Sequence, residues 1–265
     1  MNTGLAQLVA LTAHGNIALH AANHRSGLEQ SNLFQYVGQL SFGMTDTPQP
    51  ADPETATGWF NALRARGIQR LHLIRLPAEP EGTLRSYDRS AFANGEQAAI
   101  AAVDPRGRME LWVPQWHSVE RGRQQTWVLR YRGSPAGTWS EALRGKGVQE
   151  VTSALRETLR EIAAFAAANE LEHWAEHFDR AASLLDPSAR QYNADMLPEA
   201  GYTAEARRLL TTAMSGWGFG GMGSWNDTGP VNSDDYPRYQ ALTQQLYDAI
   251  MDALIAAAND FQDHL

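Results

Sequence analysis

The order of apolar and polar positions splits the chain into two halves with different periods. Up to about residue 132, short apolar runs alternate with turn signals, which is the pattern of strands. "LAQLVAL" and "NIALHAA" flank Ala13-His14-Gly15 and predict two strands joined by a hairpin turn. "YVGQLSF" is a third strand candidate. After the proline-rich "TPQPADP", Asp52 is placed to cap a helix with Pro53 at its first position, running to about Arg66 and stopped by Gly67. "IQRLHLIRL", residues 68–76, is apolar on both faces, as a central strand is. "AAIAAV" and "MELWVP" flank Asp104-Pro105-Arg106-Gly107, a turn in which proline presets φ and glycine accommodates the return. In "TWVLRYR", 126–132, Trp127, Leu129 and Tyr131 share one face and Val128, Arg130 and Arg132 the other, predicting an antiparallel strand packed on one side.

From residue 148 the period becomes helical. Val148, Val151, Leu155, Leu159, Ile162 and Phe165 form one stripe; Leu171, Trp174, Ala175, Phe178, Ala182 and Leu185 form a second. Ala206, Leu209, Leu210, Ala213 and Trp217 mark a third helix. Tyr239, Leu242, Leu246, Ile250, Ala253, Ala257 and Phe261 mark a long fourth, entered through Asp235 and Pro237. The fold class expected is α+β. A mixed, largely antiparallel sheet domain with one or two helices (1–140) precedes a helical domain of about four helices (147–265) that carries a glycine-rich loop.

Composition changes this picture little, and charge changes it more. The chain has no cysteine, which rules out disulfides and thiolate zinc sites. "MNTGLAQLVALTAHGN" lacks a basic n-region, and no apolar run approaches the ~20 residues that span a bilayer, so a cytoplasmic protein with no membrane partner is expected. Of the net charge of −8, residues 150–265 carry −11, with 7 Arg against 18 Asp and Glu; residues 104–149 carry +4. An acidic C-terminal half disfavours nucleic acid there and suits a basic partner.

Four stretches carry candidate chemistry. "GWGFGGMGSWND", 216–227, contains Gly218-x-Gly220-x-x-Gly223, the spacing of a dinucleotide loop. Such a loop works by following a strand and opening a helix, so that the pyrophosphate reaches the helix amides. Here the glycines follow a helix, with Gly216 as its stop, and no βαβ unit frames them. The stretch reads instead as a compact structural loop that also offers a contact surface, formed by Gly220, Gly221, Met222, Gly223, Ser224, Trp225, Asn226 and Asp227. Trp217, Phe219, Met222 and Trp225 fold inward as one plug, and Asn226 and Asp227 bind local amides.

"HWAEH", 173–177, matches the inverted zinc-peptidase pattern, but both histidines fall opposite the apolar stripe of their helix and read as solvated. Arg121, Arg123, Arg130 and Arg132 form a candidate anion-binding face; the alternative is a polar sheet face or one docked on the acidic helices. Ser224 lies in Gly-Met-Gly-Ser-Trp rather than a nucleophile elbow, and the histidines of the first half are scattered. No catalytic residue, metal site or cofactor follows from these patterns.

Residues from about 155 to 262 resemble a small family of uncharacterised bacterial proteins, a domain of unknown function. In that family two helices precede a Phe-Gly-Gly-Met-Gly-Ser-aromatic/Leu-Asn-Asp motif and one long helix follows. The matching residues are Phe219 to Asp227, and "EHWAEHF", 172–178, resembles the family's upstream helix. This chain adds "DPSARQYNADMLPEAGY" between its second and third helices and a whole N-terminal domain. The resemblance implies the helical fold and transfers no catalytic residue. The function expected is a non-enzymatic cytoplasmic binding protein, an immunity protein that neutralises a basic toxin. The alternatives are an enzyme with an interdomain site, using Asp227, a histidine and the arginine face on a phosphorylated substrate, or a nucleic-acid-associated accessory protein.

Overall fold

The structure, a computed structural model, describes residues 3–21, 24, 26–45, 52–77, 85–90, 92, 94–95, 97–121, 124–191, 196–230 and 232–263. The first finding corrects the hairpin reading. Residues Thr3–His20 are a single α-helix, α1, buried from Gly4 to Ala18. It is buried on every side, with Gln7, Thr12, His14 and Asn16 enclosed among its apolar residues, so it shows no amphipathic period, and a fully buried helix then looks like a pair of buried strands. Gly15 is no turn residue. A Cβ there would lie 2.3 Å from Leu71 Cδ1 and 2.9 Å from Phe60 Cε1, so glycine lets α1 lie close against its neighbours.

Next come β1 (Val37–Met44) and α2 (Ala56–Ala65). Thr55, not Asp52, caps α2: its side chain accepts from the Gly58 amide at 3.0 Å. Pro53 therefore lies ahead of the helix, and its carbonyl accepts from the Phe42 amide at 2.9 Å. Then follow β2 (Arg70–Arg75), a single turn α3 (Ser86–Arg89), β3 (Ala98–Val103), β4 (Arg108–Arg121) and β5 (Gln124–Thr138). The Asp104–Gly107 turn forms between β3 and β4, with Gly107 at φ +75° and the Asp104 carboxylate accepting from the Arg106 and Arg108 amides, both at 2.9 Å.

The five strands make one sheet in the order β1-β5-β4-β3-β2; only β1 and β5 run parallel. So β2 is an edge strand rather than a central one. Both its faces are covered, which is why its sequence reads as central. Leu71 and Leu73 belong to the main core, and His72 is stacked on Trp139 with ring centroids 4.0 Å apart. Its open edge is closed by two side-chain amides. Asn16 of α1 accepts from the Leu71 amide at 2.8 Å and donates to the Leu71 carbonyl at 2.9 Å. Asn259 does the same to Leu73, at 2.8 Å each way.

The C-terminal helices are α4 (Val148–Ala168), α5 (Glu172–Ser183), α6 (Ala204–Ser215) and α7 (Tyr236–Ala258). Asp235 and Pro237 open α7, and Thr203 caps α6 by accepting from Ala206 at 3.2 Å. The architecture is α+β, sheet first and helices after, with three α-helices among the described residues of the sheet half rather than one or two. Buried side chains of both halves form one continuous cluster that includes Leu8, Trp59 and Leu71 as well as Leu159, Phe178 and Leu254. Ion pairs also join the halves: Arg70 to Asp263, Arg75 to Asp248, and Lys146 to Asp252 at 3.1 Å. No helix among the described residues is long and apolar enough to cross a membrane.

Candidate functional site

The glycine-rich loop starts where α6 stops. The Gly216 amide still reaches the Thr212 carbonyl at 2.8 Å, and the chain then turns back over the helices. Gly218 marks the closest approach: a Cβ there would lie 3.0 Å from Trp225 Cβ and 3.4 Å from the Trp174 ring. The Trp225 amide donates to the Gly218 carbonyl at 2.8 Å, drawing the two arms of the loop together. Its indole is fully buried, edge-on to Trp174 and Phe178, and donates from Nε1 to Thr243 Oγ1 at 2.9 Å. The Tyr239 hydroxyl donates to the Trp225 carbonyl, and burial pushes that phenol's pKa up, so it stays a donor. Trp217 and Phe219 are buried against Tyr247, with Trp217 Nε1 on the Phe219 carbonyl at 2.7 Å.

Asn226 and Asp227 hold the turn. Asn226 Oδ1 accepts from the Gly220 amide at 3.0 Å and from Ser224 Oγ at 2.8 Å. Asp227 Oδ2 accepts from the Gly223 amide at 2.9 Å. The Ser224 amide bonds the Gly221 carbonyl at 3.1 Å, so the amides of Gly220, Gly223, Ser224 and Trp225 are all bound inside the loop. A phosphate cradle keeps such amides open. Gly223, at φ +83°, is the motif residue whose backbone calls for glycine. One expectation fails here. Met222 does not join the plug; it stands 99% exposed at the apex, because the left-handed turn at Gly223 carries the tip away from the helices.

The remaining candidates are not brought to this loop. His173 is exposed, but His177 is not solvated as expected. It is half-buried, with its ring edge-on to Trp174 and Phe178 at 5.2 Å each. Burial first, then Arg180 and His173, lower its pKa, and its Nε2 is buried without a hydrogen bond among the described residues. No group of three or more histidines and carboxylates suited to a metal ion occurs among the described residues. Arg130 and Arg132 sit on the outer sheet face, beside Ser41 and Gly43 of β1 and Gln115 and Val113 of β4, and make no ion pair among the described residues. Arg121 ends β4 opposite Gln124; its side chain and the whole of Arg123 lie outside the described residues. Ser224 Oγ is engaged with Asn226, and no contact among the described residues joins Asp227 to a histidine or to the arginine face.

Two features had no sequence signal. Asp88 of α3 reaches the loop, with Asn226 Nδ2 3.4 Å from its Oδ1, and Tyr87 stacks near Phe219 with centroids 6.1 Å apart. His14 Nδ1 lies 3.2 Å from His24 Nε2 beside a cleft of ≈ 450 Å³ that Ser26, Gln30 and Ser31 help to line. Burial, then His14, lowers the pKa of His24. No protein-family model, no curated protein and no solved structure matches the chain.

Proposed function

We propose that this chain is a non-enzymatic binding protein whose working surface is the tip of the 216–227 loop. The observation that carries the reading is Met222, 99% exposed at the apex of a turn held by its own hydrogen bonds. A long apolar side chain presented on a pre-ordered turn binds without the entropy cost of ordering a loop. Methionine also adapts to the shape of a receiving pocket.

Charge supports a basic partner. Arg70, Arg75 and Lys146 neutralise Asp263, Asp248 and Asp252 within the molecule. Glu157, Glu172, Glu176, Asp179 and Asp234 remain exposed, with no ion pair among the described residues. Such a surface steers a cationic protein toward it. In its finer form, the proposal is a cytoplasmic immunity protein that neutralises a basic toxin, and the family resemblance of the motif supports a bacterial setting.

The test immobilises the wild type and Met222→Glu and passes host lysate over both. A high-pI protein should be retained by the wild type and lost by the variant, and its association should slow as salt rises. Expressed alone that protein should arrest growth, and co-expression of this chain should restore it. Recovery of nuclease-sensitive RNA or DNA instead makes the Arg130–Arg132 face the working surface. Turnover of a phosphorylated compound makes the chain an enzyme.

A further inference from the structure

We infer that Met222 is a site of reversible oxidation by peroxide, where oxygen transfer to the thioether turns the loop's apolar tip polar and leaves the fold intact. The chain has no cysteine, so thioethers are its only oxidisable sulfur. Met109, Met196 and Met251 are buried and Met44 and Met214 half-buried, whereas Met222 is 99% exposed. The space around it is open: a Cβ on Gly221 or Gly223 would meet nothing within 4 Å. An oxidant can therefore line up on the sulfur, and a reductase can reach the same atom afterwards.

The step balances simply. A sulfur lone pair attacks one oxygen of hydrogen peroxide, the O–O bond breaks, and the departing hydroxide takes the proton of the transferred oxygen to leave as water. The thioether is oxidised by two electrons to the sulfoxide. A dithiol-dependent sulfoxide reductase reverses this, forming a disulfide in its own dithiol and releasing the oxygen as water. The bonds that shape the loop run between backbone groups, Ser224, Asn226 and Asp227, and none uses the Met222 side chain. Chemistry at the sulfur is thus separated from folding. Its effect on binding rests on the proposed docking role: a sulfoxide carries a strong acceptor that an apolar pocket leaves unpaired.

The experiment treats the full chain with graded hydrogen peroxide and follows each methionine by peptide mass. Met222 should gain one oxygen at least ~10-fold faster than Met109 or Met251, as its exposure dictates, with no change in the thermal midpoint. Met44 or Met214 keeping pace with Met222, or a midpoint that falls as Met222 oxidises, overturns the inference. So does a sulfoxide that dithiothreitol and sulfoxide reductase fail to remove. Partner retention is then measured separately. If the oxidised chain and Met222→Gln both hold the partner, the docking reading fails while the oxidation site stands.

Discussion

Trp225 shows how a single side chain fixes the loop. It fills the space between α5 and α7 and bonds Thr243, while its carbonyl receives Tyr239. Trp225→Ala is expected to cost about 3–5 kcal/mol, the usual range for a large buried aromatic, read as a shift in urea midpoint. Trp225→Phe keeps most of the packing and loses one hydrogen bond, so about 1 kcal/mol is expected. The glycines separate cleanly. Gly223→Ala forces a side chain onto φ +83° and should cost about 1–2 kcal/mol, whereas Gly221→Ala meets open space at ordinary φ and should stay within about 0.5 kcal/mol. Much of this was legible in the sequence, because glycine, Asn and Asp act on backbone within a few residues. The exception is Met222: apolarity does not tell which way a tip residue points once a left-handed turn intervenes. His72 gives a pH signature. Burial, with Arg70 and Arg144 nearby and Glu141 opposing, lowers its pKa to about 4. The unfolded chain binds the proton first, so the related stability is complete above pH ~6.5 and falls as pH drops toward 4, by on the order of 2–3 kcal/mol. Stability measured from pH 7 to 4.5 should fall less steeply in His72→Gln; an unchanged slope counts against this assignment.

At the scale of elements, the helices of the second half were legible because α4, α5 and α6 each have a dry and a wet face, as does α7 ahead of its fully buried run 253–258, and their caps are local chemistry. Asp235 and Pro237 announce α7, and Gly216 ends α6. The first helix was not legible for the opposite reason. Buried from Gly4 to Ala18, α1 has no wet face, and periodicity vanishes where solvent touches no side. The status of β2 was hidden too, since a strand covered on both faces has the same composition at an edge as in the middle. What distinguishes it is tertiary: Asn16 and Asn259 take the place of a neighbouring strand, about 55 and 186 residues away in sequence. An asparagine inside a buried helix, as Asn16 is, or at the end of one, as Asn259 is, advertises nothing by its spacing. Asn259→Leu leaves the Leu73 amide and carbonyl without that partner and should destabilise the fold by about 2–3 kcal/mol. Asn259→Asp should destabilise it as well, since the carboxylate cannot donate to the Leu73 carbonyl. A neutral result for Asn259→Leu in urea melts refutes the pairing.

The molecule as a whole joins an N-terminal sheet half to a C-terminal helical half through one apolar cluster and ion pairs from β2, with Arg75 reaching Asp248 of α7 and Arg70 reaching Asp263 beyond its end. The pairs are partly exposed and each contributes roughly 0–1 kcal/mol, so the shared core does most of the joining. One cooperative unfolding transition is expected, with tryptophan fluorescence and far-ultraviolet dichroism superimposable; two separated transitions would show the halves folding independently. High salt should lower the midpoint only slightly, because it screens the pairs and spares the core. The asparagine clamps on β2 add a way to watch this junction open. The Leu71 proton is guarded by Asn16 of α1 and the Leu73 proton by Asn259, the residue that caps the end of α7. In deuterated water each of these protons reports on the helix that holds it. If α7 lifts alone, Leu73 exchanges early while Leu71 stays protected; if α1 lifts alone, the order reverses. Two neighbouring amides on one strand thus time the departures of two helices from opposite ends of the chain, with no label added.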